Sequence, residues 1–203
     1  MIIKKIKSIA IKTICGIILF IIILYFGLWI YVSKSVPKEL KQQYDQINIP
    51  DISSSNYEII WFALTGNKNN GFKWYPFLYD RFFGERNNNI KRYVAFNLVN
   101  TNENYRRGYR LETWHIEYGL ARYIRYDNNY KKCLSYIINY GFLGNNIYGL
   151  INASEYYYNK NINDLTEREL ISLALLFTSP SQYKIGEIIS ENKTEEIIYL
   201  YKK

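Results

Sequence analysis

By residue type, the chemistry open to this 203-residue chain is that of carboxylates and cations. Histidine occurs once, as His115, so a multi-histidine metal site is excluded. Of the two cysteines, Cys15 lies inside a long apolar run and Cys133 far beyond it. If that run crosses a membrane, the two cannot pair within one monomer, and the remainder is not a disulfide scaffold. Lysine and arginine number 26 against 18 aspartates and glutamates, a formal net charge of +8, and the excess is scattered rather than blocked. Such a surface is ordinarily a solvated one; its functional version attracts anionic headgroups or a phosphate-bearing substrate. Read alone, Glu117 is a helix-surface acid paired with an Arg or Lys one turn away, and His115 is an ordinary helix residue.

These side chains need elements to hold them, and the first element is an anchor. Residues 13–32 carry no charge. About 20 helical residues span about 30 Å, the thickness of a hydrocarbon core. A run of 18 or more apolar residues rarely belongs to a buried core helix. A cleaved signal peptide would have a shorter apolar region and a small-residue cleavage site, and the sequence Tyr31-Val32-Ser33-Lys34-Ser35 supplies a poor one. The run reads as an uncleaved signal anchor. Lys4, Lys5, Lys7 and Lys12 precede it, so residues 1–12 are expected to stay in the cytoplasm. The remainder then lies on the outer face of the cytoplasmic membrane, with Trp29 and Tyr31 at the outer interface. That placement excludes nucleic acid as a partner.

Residues 33–56 read as a stalk and 57–203 as one domain, long enough for a core of its own. Residues 57–64 form a short apolar run that fits a helix or a strand. The aromatic stretch 72–83 fits core packing or a second membrane contact equally. Residues 86–89 read as a turn, 90–99 as a helix and 100–108 as a loop. Apolar spacing predicts helices over 112–126, 130–140 and 148–158, with 127–129 capping the second. Thr166 and Glu169 form a capping box before the apolar run 170–177, and Pro180 ends that helix. Residues 187–203 read as a polar terminal helix. No strand alternation is evident, so the fold class is mainly α.

Residues 117–185 resemble the glycosyltransferase family 51 domain, the peptidoglycan polymerase module found in monofunctional transglycosylases. The family's fourth motif is matched by Lys131-Lys132-Cys133-Leu134-Ser135-Tyr136-Ile137-Ile138-Asn139, Gly144 and Tyr148-Gly149. Its fifth is matched by Ala153-Ser154, Tyr157-Tyr158-Asn159-Lys160, Leu165-Thr166, Glu169, Leu173-Ala174 and Pro180. Tyr183-Lys184 resembles the end of the monofunctional enzymes. The resemblance implies a lysozyme-like, two-lobed helical fold behind one transmembrane helix, and lipid II as substrate. It also implies other cell-wall synthesis proteins as partners. In that reaction a sugar hydroxyl attacks an anomeric carbon bearing lipid pyrophosphate. A carboxylate takes the proton, and cations or a divalent metal, Mg²⁺ or Mn²⁺ if the protein is active, offset the leaving-group charge.

The first three motifs depart from the family pattern. Glu117 lies 22 residues before Asn139, where the third-motif Glu is expected, but Thr113-Trp114 replace its Arg-Lys. Arg110, Arg106 or Arg107 could substitute. In the second-motif place, 86–93, only Ile90 fits, with Lys91 and Arg92 available to a phosphate. Thr65-Gly66 fall where the first motif has the Glu-Asp that supplies the general base. A shifted alignment makes Glu58 the one rescued base, and Asp80 leaves too few residues before the second motif. The resemblance therefore implies Glu117 and Glu58 as catalytic candidates. Lys91, Arg92, Arg110, Asn139 and Lys160 are the substrate-binding ones. The function expected is action on, or binding of, lipid II with impaired catalysis; the alternative is a non-catalytic, membrane-anchored binding or regulatory protein of wall synthesis.

Overall fold

The uncharged run folds as part of one long helix, α1 (Ile2–Lys34). The computed structural model describes the backbone of residues 2–69, 71–72, 86–106 and 110–203, and the side chains of 11–69, 71–72, 90–105 and 113–203. Within α1, Ile11–Lys34 is long and apolar enough to cross a membrane, and its Ile, Leu and Phe side chains from 11 to 28 are exposed. Beyond α1 come α2 (Lys38–Asp45), α3 (Ser54–Thr65), α4 (Arg86–Thr101), the single turn α5 (Glu103–Arg106), α6 (Arg110–Asp127), α7 (Tyr130–Tyr140), α8 (Leu150–Tyr158), α9 (Glu167–Thr178) and α10 (Ile188–Lys202). A 3-10 turn (Ile162–Asp164) precedes α9, and one isolated bridge joins Phe142 to Tyr148. Among the described residues the remaining regular structure is all helical, as the mainly-α reading requires.

Local chemistry explains the helix ends. The Asn129 side chain accepts from the Lys132 amide and starts α7. At α9 the Thr166 hydroxyl accepts from the Glu169 amide while the Glu169 carboxylate takes the Thr166 amide, so two orphan donors are satisfied together. Residues 86–89, expected as a turn, are instead the first turn of α4. Asparagine is a weak helix former in an interior but competes less at a helix start, where backbone amides lack partners anyway.

Two packing blocks meet in one core. α4 lies along α6, and α9 is sandwiched between α3 and α10. The residues read as a stalk are packed into this core. Val36, Leu40, Tyr44 and Ile52 are buried in it, and Tyr44 donates to Asp127 at 3.2 Å while Tyr123 donates to Asp45 at 2.8 Å. The segment from α1 to α3 is therefore clipped to α6 and α7 rather than standing free.

α1 also touches the rest of the chain. Its last turns lie on α6, where Val32 and Tyr118 form a small buried cluster with Tyr25 and Trp114 against it. The Arg122 guanidinium lies 5.2 Å from the Trp29 ring centroid, and the Tyr31 ring lies 5.6 Å from that of His115. His115, for which the sequence offers no partner, thus has an aromatic one. The close approach depends on Gly119: a Cβ there would fall 2.5 Å from the Val32 carbonyl oxygen and 2.4 Å from Val36. Gly119→Ala is expected to cost about 1–3 kcal/mol through overpacking, read as a lower melting temperature of the full chain in detergent.

Candidate functional site

α3 ends where Gly66 adopts a left-handed conformation (φ 70) and its amide donates to the Phe62 carbonyl at 2.7 Å. Thr65 is buried beside it. Its hydroxyl donates to the Trp61 carbonyl at 2.7 Å and accepts from the Asn67 amide at 3.1 Å, turning the chain out of the helix. The Trp61 indole then donates to the Asn69 carbonyl at 3.2 Å, tying the loop back onto α3. Thr65 is thus engaged in shaping a turn.

Next to this turn a cavity of about 830 Å³ opens between α3, α4, the end of α9 and α10. Its wall is largely apolar, with Phe62, Ile90, Leu175, Phe177 and Leu200 contributing. Tyr93 of α4 packs edge-on against Phe177, ring centroids 4.9 Å apart, and burial raises its hydroxyl above the ordinary tyrosine range. The charged groups on the wall are Lys68, Lys193 and Glu196. Lys193 and Glu196 form an ion pair at 2.7 Å along α10. An apolar pocket with a few convergent polar groups is the usual form of a small-ligand site.

None of the catalytic or substrate-binding candidates lines this cavity, although Gly66, Ile90 and Tyr183, matched or placed by motif, do. Glu117 is half-buried on α6, where the Thr113 hydroxyl donates to it at 3.4 Å. Glu58 is exposed on α3 and borders a smaller cavity of about 310 Å³ with Lys68, Tyr201 and Lys202. Lys91 is 1% exposed, with its ammonium 6.0 Å from the Phe72 ring centroid, whereas Arg92 next to it is exposed on α4. Arg110 is the first residue of α6, and its side chain lies outside the described ones, as does that of Arg106. Arg107 and residues 73–85, with Asp80 and all of the aromatic stretch beyond Phe72, also lie outside the described residues. Asn139 donates from its side-chain amide to the Asn48 carbonyl at 3.0 Å, fastening the α2–α3 connection to the end of α7.

Lys160 pairs with Glu169 at 2.7 Å and so supports the α9 capping box. Burial pushes the Glu169 carboxyl up, but the Lys160 ammonium and the Thr166 amide and hydroxyl outweigh it and hold it below the usual carboxylate range. Cys133 is fully buried, and desolvation drives its thiol well up despite the opposing charge of Lys91, so it stays protonated and inert. No group of three or more His, Cys, Asp or Glu side chains among the described residues converges to hold a metal ion. The sequence signal available for Lys193 and Glu196 is their three-residue spacing, inside a segment read only as a polar terminal helix.

Residues 94–201 match the model of the transglycosylase family. The match begins inside α4, past the Thr65 turn and past residues 86–93, and it takes in α6 to α10. No curated protein matches the chain.

Proposed function

The chain belongs to the transglycosylase family, and from that membership we propose that it is a peptidoglycan glycosyltransferase-like protein that binds lipid II, with sugar transfer impaired. The observation that carries this reading is the cavity at the end of α3. One part of its wall, from α9 and α10, falls within the family-matched residues, and the other, from α3 and the start of α4, precedes them. In this reading a family-matched scaffold meets, at the Thr65 turn, the place where the base belongs. Thr65 offers no carboxylate there, and its hydroxyl is held by backbone groups. An apolar wall with Lys68 at its rim suits a sugar carrying a lipid pyrophosphate.

In this reading α1 crosses the cytoplasmic membrane once, with residues 1–12 inside and the domain outside. The lysines before the span support that orientation, and the contacts of Trp29 and Tyr31 in α1 with Arg122 and His115 of α6 support a domain held close to the headgroups. The described residues do not form a metal-ligand set. A divalent cation would be held chiefly by the substrate's phosphates, and no step here is routed through one.

The test is lipid II binding and polymerisation by the full-length protein in detergent. Binding is expected, with strand formation at least about 10²-fold slower than by a relative whose base is in place, since general-base catalysis contributes about 10²–10⁴-fold and an acid elsewhere on the wall recovers only part of it. Absence of binding at high micromolar concentration would refute the proposal. The engaged Thr65 hydroxyl favours a second reading, a membrane-anchored recognition or regulatory protein of the wall-synthesis machinery. It predicts binding, no strands, and one stoichiometric protein partner recovered from membranes.

A further inference from the structure

Resting on the reading that this cavity takes a lipid-linked sugar, we infer that Glu196 is the carboxylate that accepts the proton of the attacking hydroxyl, in place of the acid absent at position 65. Lys193, Glu196, Ile197 and Leu200 line the cavity at three- and four-residue spacing, so they form one face of α10. Ile197 is buried on that face, which packs toward α9 and α3. Glu196 is the one carboxylate among the described residues on the cavity wall. Its Oε2 is 2.7 Å from the Lys193 ammonium, which steadies its orientation. Gly66 at the end of α3 also lines the cavity, and the space a Cβ would occupy there is open. The site therefore has room for a sugar beside the Thr65 turn and an acid within the same cavity.

The step balances with these groups alone. The 4-hydroxyl oxygen of the acceptor sugar bonds to the anomeric carbon of the donor. The bond from that carbon to the pyrophosphate oxygen breaks, and its electron pair leaves on the lipid pyrophosphate. The hydroxyl proton passes to Glu196 and from there to solvent, while the Lys68 ammonium meets the charge on the leaving group.

The experiment compares wild type, Glu196→Gln, Glu196→Asp and Glu155→Gln, each as full-length protein, for lipid II binding and for glycan strands. Glu155 is exposed on α8 and does not line the cavity, so Glu155→Gln is expected to match wild type. Glu196→Gln is expected to bind lipid II and to lose about 10²-fold or more of its strand formation. Glu196→Asp, with the same charge on a shorter arm, is expected to keep part of it. Strand formation by Glu196→Gln at the wild-type rate overturns the inference. So does a wild type that binds lipid II and forms no strands, an outcome that leaves the binding reading standing. A wild type that neither binds nor polymerises overturns the functional reading itself. If Glu196→Gln fails to bind, Glu196→Asp decides: binding with reduced strand formation supports the role, and binding with an unchanged rate overturns it.

Discussion

Gly149→Ala is expected to destabilise the protein by about 3 kcal/mol or more, since backbone strain and overpacking each cost about 1–3 kcal/mol. Gly149 starts α8 at φ 83 and ψ 138, a region closed to other residues. Its amide donates to the Gly141 carbonyl at 2.7 Å, closing the loop from the end of α7. A Cβ there would sit 2.5 Å from the Asn139 carbonyl oxygen and 2.8 Å from that of Ile138. Both obstacles are backbone, so neither can swing aside as a flexible side chain would. Relief must come from moving α8 off α7, which loosens Leu150 and Ala153 in the core. In a thermal melt followed by circular dichroism, a loss of this size lowers the midpoint by about 6–12 °C for a domain of this length. An unchanged midpoint would mean that the α7–α8 joint is looser than its geometry indicates.

Trp61→Ala carries a comparable or larger expected cost, about 3–5 kcal/mol for truncating a buried aromatic. Trp61 is fully buried. Its ring meets those of Phe72 and Tyr130 edge-on, with centroids 5.5 Å and 5.3 Å away. Alanine removes both ring contacts and the hydrogen bond to the Asn69 carbonyl, leaving that loop without its tie to α3. The melting midpoint is expected to fall by about 10 °C or more. Trp61→Phe should recover part of the loss, because it refills much of the space without restoring the indole donor. Equal destabilisation by the two variants would assign the whole effect to the hydrogen bond.

Helices with a local signature were legible in the sequence. Thr166 and Glu169 announce α9, Asn129 announces α7, and both capping contacts form. The packing of residues 33–56 was not legible, because α2 presents only Leu40 and Tyr44 as large apolar residues on an otherwise polar two-turn helix. Two positions four apart specify a buried stripe weakly. The tie from Asn139 to Asn48 spans 91 residues and leaves no periodic trace. Lys91 was open to a closer reading: Val94, Ala95 and Leu98 stand three, four and seven residues after it, and all are buried. A lysine in that row lies on the core side of α4, where its stem is useful and its charge is less so. The cavity is lined jointly by α3, α4, α9 and α10, with α10 packed on α9 and touching α3. That packing brings together residues from distant parts of the chain, so position along a motif could point to Glu117 and Glu58 but not to Glu196.

The seating of α1 on α6 at Gly119 makes α1 a strut rather than a leash. A transmembrane helix adjusts its tilt to the thickness of the bilayer around it, at fractions of a kcal/mol per Å of mismatch. With the Val32 backbone pressed against α6, a change of tilt cannot be absorbed in a slack joint. It is passed as torque into α6 and the α4 helix alongside it. Where α1 crosses a bilayer, lipid composition thereby becomes a mechanical input to the attitude of the whole domain.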